Sequence, residues 1–184
     1  MGKIVRWMAE QGRGLEHLTL TFRESQVMAN SVVVGERGGT PYGLVYTVSV
    51  DADWHTRLVD VADPTGNPCL RLWSDGHGRW RDVEADRELR ELDGCIDVDL
   101  AATPFTNTLP IRRLPWQARQ SRTLRVAYIS VPDLQVFAMN QRYTCLEPSK
   151  WFLYENLDGQ FQAQLELDND GLVIDYPGLF TRVS

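Results

Sequence analysis

Tyr46-Thr47-Val48-Ser49-Val50-Asp51 carries an apolar side chain at every second position. Successive side chains on a strand point to opposite faces, so this stretch presents one apolar and one polar face. The same period recurs on both sides of it. Leu18, Leu20 and Phe22 alternate with Thr19, Thr21 and Arg23, and Ile96, Val98 and Leu100 alternate with Asp97 and Asp99. Phe161, Ala163, Leu165 and Leu167 oppose Gln162, Gln164, Glu166 and Asp168. One-sided alternation points to antiparallel sheet, because parallel sheet buries both faces. Carried past Asp51, the parity groups Trp54 with Tyr46, Val48 and Val50, and puts Asp53, His55 and Arg57 on the polar face with Asp51.

Turn chemistry separates these runs. Gly38-Gly39, Pro64-Thr65-Gly66-Asn67-Pro68, Asp75-Gly76-His77-Gly78, Asp158-Gly159 and Asn169-Asp170-Gly171 supply residues that tolerate positive φ or preset a turn. The spacing predicts a long meander of hairpins. Around ten or more twisted strands curl or close on themselves, so the expected form is all-β: a large antiparallel sheet in a rolled or open-barrel shape. Little helix is expected, with one segment over Ala85 to Leu92 and one short turn within Asn107 to Leu114. With 184 residues and no repeat or linker, the chain reads as a single domain, 1–184.

Apolar residues make up 43% and charged residues 24%, the balance of a globular protein. A net charge of −6 argues against nucleic acid and against anionic membrane surfaces as partners. No run approaches the ~18 apolar residues of a membrane span, so an integral membrane protein is not expected. Met1 to Gly14 lacks the apolar core of a signal peptide, and the chain reads as cytoplasmic. Cys69, Cys95 and Cys145 are an odd number without C-x-x-C spacing, which reads as buried free thiols. His17, His55 and His77 stand apart without metal-ligand spacing, and no G-x-S-x-G elbow or phosphate-binding glycine loop is present. No metal, cofactor or catalytic residue is assigned.

Four constellations carry chemistry. Asp51-x-Asp53-Trp54-His55-x-Arg57 reads as a polar strand face, either a site for a hydroxyl-rich or charged ligand or a solvated exterior. Asp97 and Asp99 project to one side about 7 Å apart, suiting acid–base work, ligand orientation or pairing with arginine. Thr103 to Leu114, rich in hydroxyl and amide groups, holds Asn107 and ends near Arg112 and Arg113. Those guanidinium forks match a carboxylate or phosphate on a ligand, or neutralise the two aspartates. Arg142-Tyr143, Trp151, Phe152, Tyr154 and Tyr176 to Phe180 offer aromatic faces for a sugar ring or acyl chain, or simply furnish core.

These segments resemble a bacterial glycolipid-binding family over nearly the whole chain. The likeness runs through Gly14 to Leu18, Pro41 to Leu44, Asp51 to Trp54, Leu92 to Leu114, Gln141 to Tyr143 and Asp175 to Phe180. His55 stands where the family pattern leads one to expect arginine. The resemblance implies a spiral β-roll, similar in shape to the periplasmic carriers that shuttle lipoproteins, and it supplies no catalytic residue. The resulting expectation is a binding protein for an amphipathic ligand, plausibly a glycolipid, in a groove of a curved sheet. Candidate ligand-binding residues are Asp53, Trp54, Arg57, Asp97, Asp99, Asn107, Arg112, Arg113, Arg142, Tyr143 and Tyr176. The alternative is a carboxylate-based hydrolase acting on a sugar-containing substrate.

Overall fold

The computed structural model describes residues 2–10 and 13–183; Met1, Gln11 and Gly12, part of the segment read for a leader, lie outside them. Two meanders make one 15-stranded sheet. The first comprises β1 Gly2–Ala9, β2 Leu15–Arg23, β3 Gln26–Arg37, β4 Thr40–Asp51, β5 Thr56–Ala62, β6 Pro68–Ser74, β7 Trp80–Asp82 and β8 Arg87–Glu88. The second begins at β9 Val98–Leu100 and continues through β10 Ser121–Ile129, β11 Val136–Glu147 and β12 Trp151–Asn156. It ends with β13 Gln162–Leu167, β14 Val173–Tyr176 and β15 Phe180–Arg182. β1 pairs with β15 and joins the two meanders, so β8 and β9 are the sheet's edges. β9 and β10 run parallel, and the other neighbouring strands run antiparallel.

This order forces the sheet to roll. Laid flat at about 4.8 Å per strand, the two edges would lie roughly 65–70 Å apart. The chain goes from Glu88 to Val98 between them, and ten extended residues reach at most ~36 Å. Contacts along the crossing confirm the roll. Gly94 N–H donates to Gly78 O at 2.9 Å, Trp80 Nε1 to Cys95 O at 2.6 Å, and Val98 N–H to Thr56 Oγ1 at 3.3 Å.

The roll closes around the segment that follows β9. Residues 102–111 are buried throughout and include the first four residues of helix α1, Thr108–Arg113. Phe105 and Leu109 pack with Trp7, Leu18, Leu20, Val48, Val59 and Leu72 from the first meander. Each fully buried side chain of this kind contributes about 1.5–3 kcal/mol. Tyr143, Cys145, Phe152, Leu165 and Val173 form the core of the second meander. The all-β, rolled antiparallel form anticipated from the alternation is the form observed. None of the described helices is long and apolar enough to cross a membrane.

Three local readings change. Asp51 to Arg57 is a hairpin turn and not one strand, since β4 ends at Asp51 and β5 begins at Thr56. The Asp51 carboxylate caps that turn, accepting from Asp53 N–H at 3.0 Å and His55 N–H at 2.9 Å. Such local side-chain bonds compete with extended structure. Ala85 to Leu92 is no helix: a turn, β8 and a single 3-10 turn, Arg90–Leu92, bury Leu89 and Leu92 without helical period. Of the cysteines, Cys95 and Cys145 are buried, but Cys69 is exposed.

Candidate functional site

The mouth of the roll holds a cleft with two compartments. One, of 350 Å³, is walled by Trp7, Leu15, Glu16, Val33, Tyr42 and the backbone near Gly178. The other, of 230 Å³, is walled by Asp99, Asn107, Tyr128, Met139, Tyr154, Phe161 and Tyr176. Both include Arg37, Ala101, Leu179 and Phe180, which makes them adjoining parts of one site. A wider hollow of 570 Å³ lies at Trp73, His77, Arg79, Arg81, Glu88 and Arg90. Its charged side chains are largely exposed to solvent, so it lacks the desolvated polar groups that make ligand contacts strong.

Glu16 lies on the apolar parity of β2, in line with Leu18 and Leu20, and is 1% exposed. Its Oε1 accepts from Ser31 Oγ at 2.8 Å and from Tyr46 Oη at 2.6 Å. The Tyr46 hydroxyl also lies 3.2 Å from Thr103 Oγ1, which accepts from Phe105 N–H at 3.0 Å. Oε2 is buried and has no partner among the described residues. Burial pushes the Glu16 carboxyl up to about 7, against the opposing pull of its hydroxyl donors. Tyr46 is pushed well above the ordinary phenol value by the same burial and by the neighbouring Glu16.

The second compartment has a different polar set. Half-buried Asp99 accepts from Gln141 Nε2 at 2.5 Å and Thr106 Oγ1 at 3.0 Å. Burial raises its carboxyl above the usual aspartate value, against the pull of its Gln141 and Thr106 donors and of the Arg37 charge. Asn107 donates to Tyr143 Oη at 2.9 Å. The Tyr143, Tyr154 and Tyr176 rings meet edge to face at 5.3 and 5.9 Å, a favoured aromatic geometry. Burial raises all three phenols, so they stay neutral hydrogen-bonding groups at physiological pH. Arg37, exposed at the end of β3, is in no ion pair among the described residues. No cluster of three or more His, Cys, Asp or Glu suited to a metal occurs among the described residues.

Asp99, Asn107, Tyr143 and Tyr176 thus gather at or just behind this cleft. The other candidates do not line it. Asp97 is 1% exposed and bound by Arg113. Trp54, at φ 68°, is buried beneath Arg112, whose guanidinium lies 5.0 Å from the ring centroid. Asp53 sits exposed in the β4–β5 turn, and Arg57 donates to the Asp75 carbonyl. Arg142 pairs across strands with Glu155, Nε to Oε2 at 2.6 Å. Glu16 and Arg37 are not among the residues that the sequence singles out. The signal for Glu16 is a carboxyl on an apolar parity; for Arg37 it is a cation directly before the Gly38-Gly39 turn.

The family model described as "Putative glycolipid-binding" matches residues 4–182. The chain belongs to this glycolipid-binding family. Among solved structures it is similar to a DUF1089-family protein from Pseudomonas aeruginosa, 42% identical, with 92% of each chain covered and a TM-score of 0.77. No curated protein matches it significantly. Family membership and a shared roll say nothing by themselves about which residues of this glycolipid-binding family member touch a ligand.

Proposed function

We propose that the protein binds an amphipathic ligand with a sugar-bearing head group in the two-compartment cleft. One observation carries this reading: apolar and aromatic walls surround a few desolvated polar groups, Glu16, Asp99, Asn107 and the phenols. Small-molecule sites are mostly apolar hollows of about 300–1,000 Å³ with a few convergent polar groups. Leu15, Val34, Leu179 and Phe180 suit an acyl chain, while neutral phenols and amides suit hydroxyl groups, which both donate and accept. The family name supports a binding role in general terms. Native mass spectrometry of protein purified from its own host tests the reading. A retained lipid with a glycosyl head is the expected result, and a bare mass together with no calorimetric binding of any glycolipid would reject it.

A second reading has its own observation. Glu16 and Asp99 are both desolvated, both shifted upward and free of arginine pairing, which is how carboxyls are prepared for acid–base work. Release of a sugar from a soluble nitrophenyl glycoside, lost in Asp99→Asn and in Glu16→Gln, would favour a hydrolase.

A further inference from the structure

We infer that Glu16 selects the head group of the ligand: its free oxygen, Oε2, holds a hydroxyl of an uncharged, sugar-type head in preference to an anionic one. This deepens the binding reading above and rests on it. A buried polar atom without a partner costs about 1–3 kcal/mol, and native proteins keep few of them. Among the described residues the other buried side-chain polar atoms without partners belong to Thr108, Trp116, Arg122 and Arg182. None of those four residues lines either compartment, whereas Glu16 does. Glu16 is therefore the one among these residues that borders the cleft.

What Oε2 can bind follows from the bonds that Oε1 makes. Ser31 and Tyr46 both direct hydroxyls at Oε1, so a proton on the carboxyl belongs on Oε2. In the neutral form Oε2 is a donor, and in the ionised form it is an acceptor. A hydroxyl can answer either form, because it donates and accepts. An ester or ether oxygen answers only the neutral form, and an ammonium only the ionised one. A sulfate or phosphate is accepted by the neutral form and repelled by the ionised one, a like-charge clash worth several kcal/mol in a desolvated site. The groups facing Glu16 are Ser31 from β3, Tyr46 and Tyr42 from β4, and Thr103 from the buried segment, with Glu36 and Arg37 at the mouth. Tyr42 and Tyr46 are both raised above the ordinary phenol value, so neither phenol changes charge near neutrality.

The test uses two probes with one tail: n-octyl β-D-glucoside and n-octyl sulfate, both below their micelle concentrations, titrated calorimetrically at pH 5.5 and pH 8.5. Wild type should bind the glucoside with less than about threefold change between the two pH values, while the sulfate weakens about tenfold or more at the higher pH. Glu16→Gln, close in shape and always neutral, should abolish the pH effect on the sulfate. Glu16→Leu should lose about tenfold for the glucoside. A sulfate profile in Glu16→Gln matching wild type would overturn the inference while leaving the cleft reading in place. Failure of both probes to bind wild type would remove the cleft reading as well.

Discussion

Arg113 holds Asp97 with both arms of its guanidinium fork, Nε to Oδ1 at 3.0 Å and Nη2 to Oδ2 at 2.6 Å, with both side chains nearly sealed from solvent. Burial raises the Asp97 carboxyl and the fork pulls it back down. The pair ties the last turn of α1 to the residue just before β9, fixing the buried segment within the roll. Removing either partner strands the other as an uncompensated buried charge. Asp97→Ala and Arg113→Ala should each cost about 3–5 kcal/mol in denaturant unfolding. Arg142→Ala, at a half-exposed pair with Glu155, should cost less, about 1 kcal/mol. Equal midpoints for all three variants would contradict this ranking.

Glu16 makes stability depend on pH in an unusual direction. Its folded value, about 7, lies above the ordinary 4.5, so between those values the folded chain holds more proton than the unfolded one. Stability from this group is therefore present at pH 4.5 and falls as pH rises to 7, by about 3 kcal/mol. Depressed carboxyls such as Asp51 and Asp168 act in more acidic solution and with opposite sign. Unfolding free energies of wild type and Glu16→Gln should converge or cross as pH goes from 7 down to 4.5. Parallel curves across that window would show that Glu16 titrates normally.

Gly35 leaves room for an aromatic wall of the cleft. It sits opposite Tyr42 in the β3–β4 register, and a Cβ at position 35 would meet Tyr42 Cζ and Oη at 2.7 Å. Those atoms are the end of a side chain that can swing away, so Gly35→Ala should shift the ring and leave the strands paired. The expected outcome is a stability change within about 1 kcal/mol and a several-fold loss of octyl glucoside affinity. A large drop in unfolding midpoint with unchanged binding would reverse that assignment.

The sheet was legible because period-two alternation and turn residues are local signals, and rolling follows from strand number. Asp51 to Arg57 misled because alternation by parity ignores a capping carboxylate that ends a strand. Asp97 and Asp99 share spacing and chemistry in the chain, yet one meets Arg113 and the other Gln141 and Thr106. Which arginine reaches which aspartate depends on how the buried segment crosses the roll, and spacing does not encode that. Glu16 stood in plain view on the parity of Leu18 and Leu20. Its significance depends on Ser31 and Tyr46 from two neighbouring strands, and so on the register.

Three arginines separate a binding role from a structural one. Arg37 lines both compartments beside Tyr128 and has no ion-pair partner among the described residues, so its guanidinium charge is placed for an oxygen-rich head group. Arg112 is occupied by the Trp54 ring, a contact worth about 0.5–1 kcal/mol at an exposed site. Arg142 is occupied by Glu155. A hydrogen bond to a charged donor contributes about 1.5–3 kcal/mol, so Arg37→Ala should weaken octyl glucoside binding by about tenfold or more. Arg112→Ala and Arg142→Ala should leave that affinity within about twofold, since neither side chain reaches the cleft. Arg37→Ala should also leave stability nearly unchanged, because an exposed, unpaired side chain supports no packing. Calorimetry and denaturant unfolding on the three variants separate the outcomes. Loss of affinity in Arg142→Ala or Arg112→Ala with none in Arg37→Ala would move the head-group site away from the mouth of the roll.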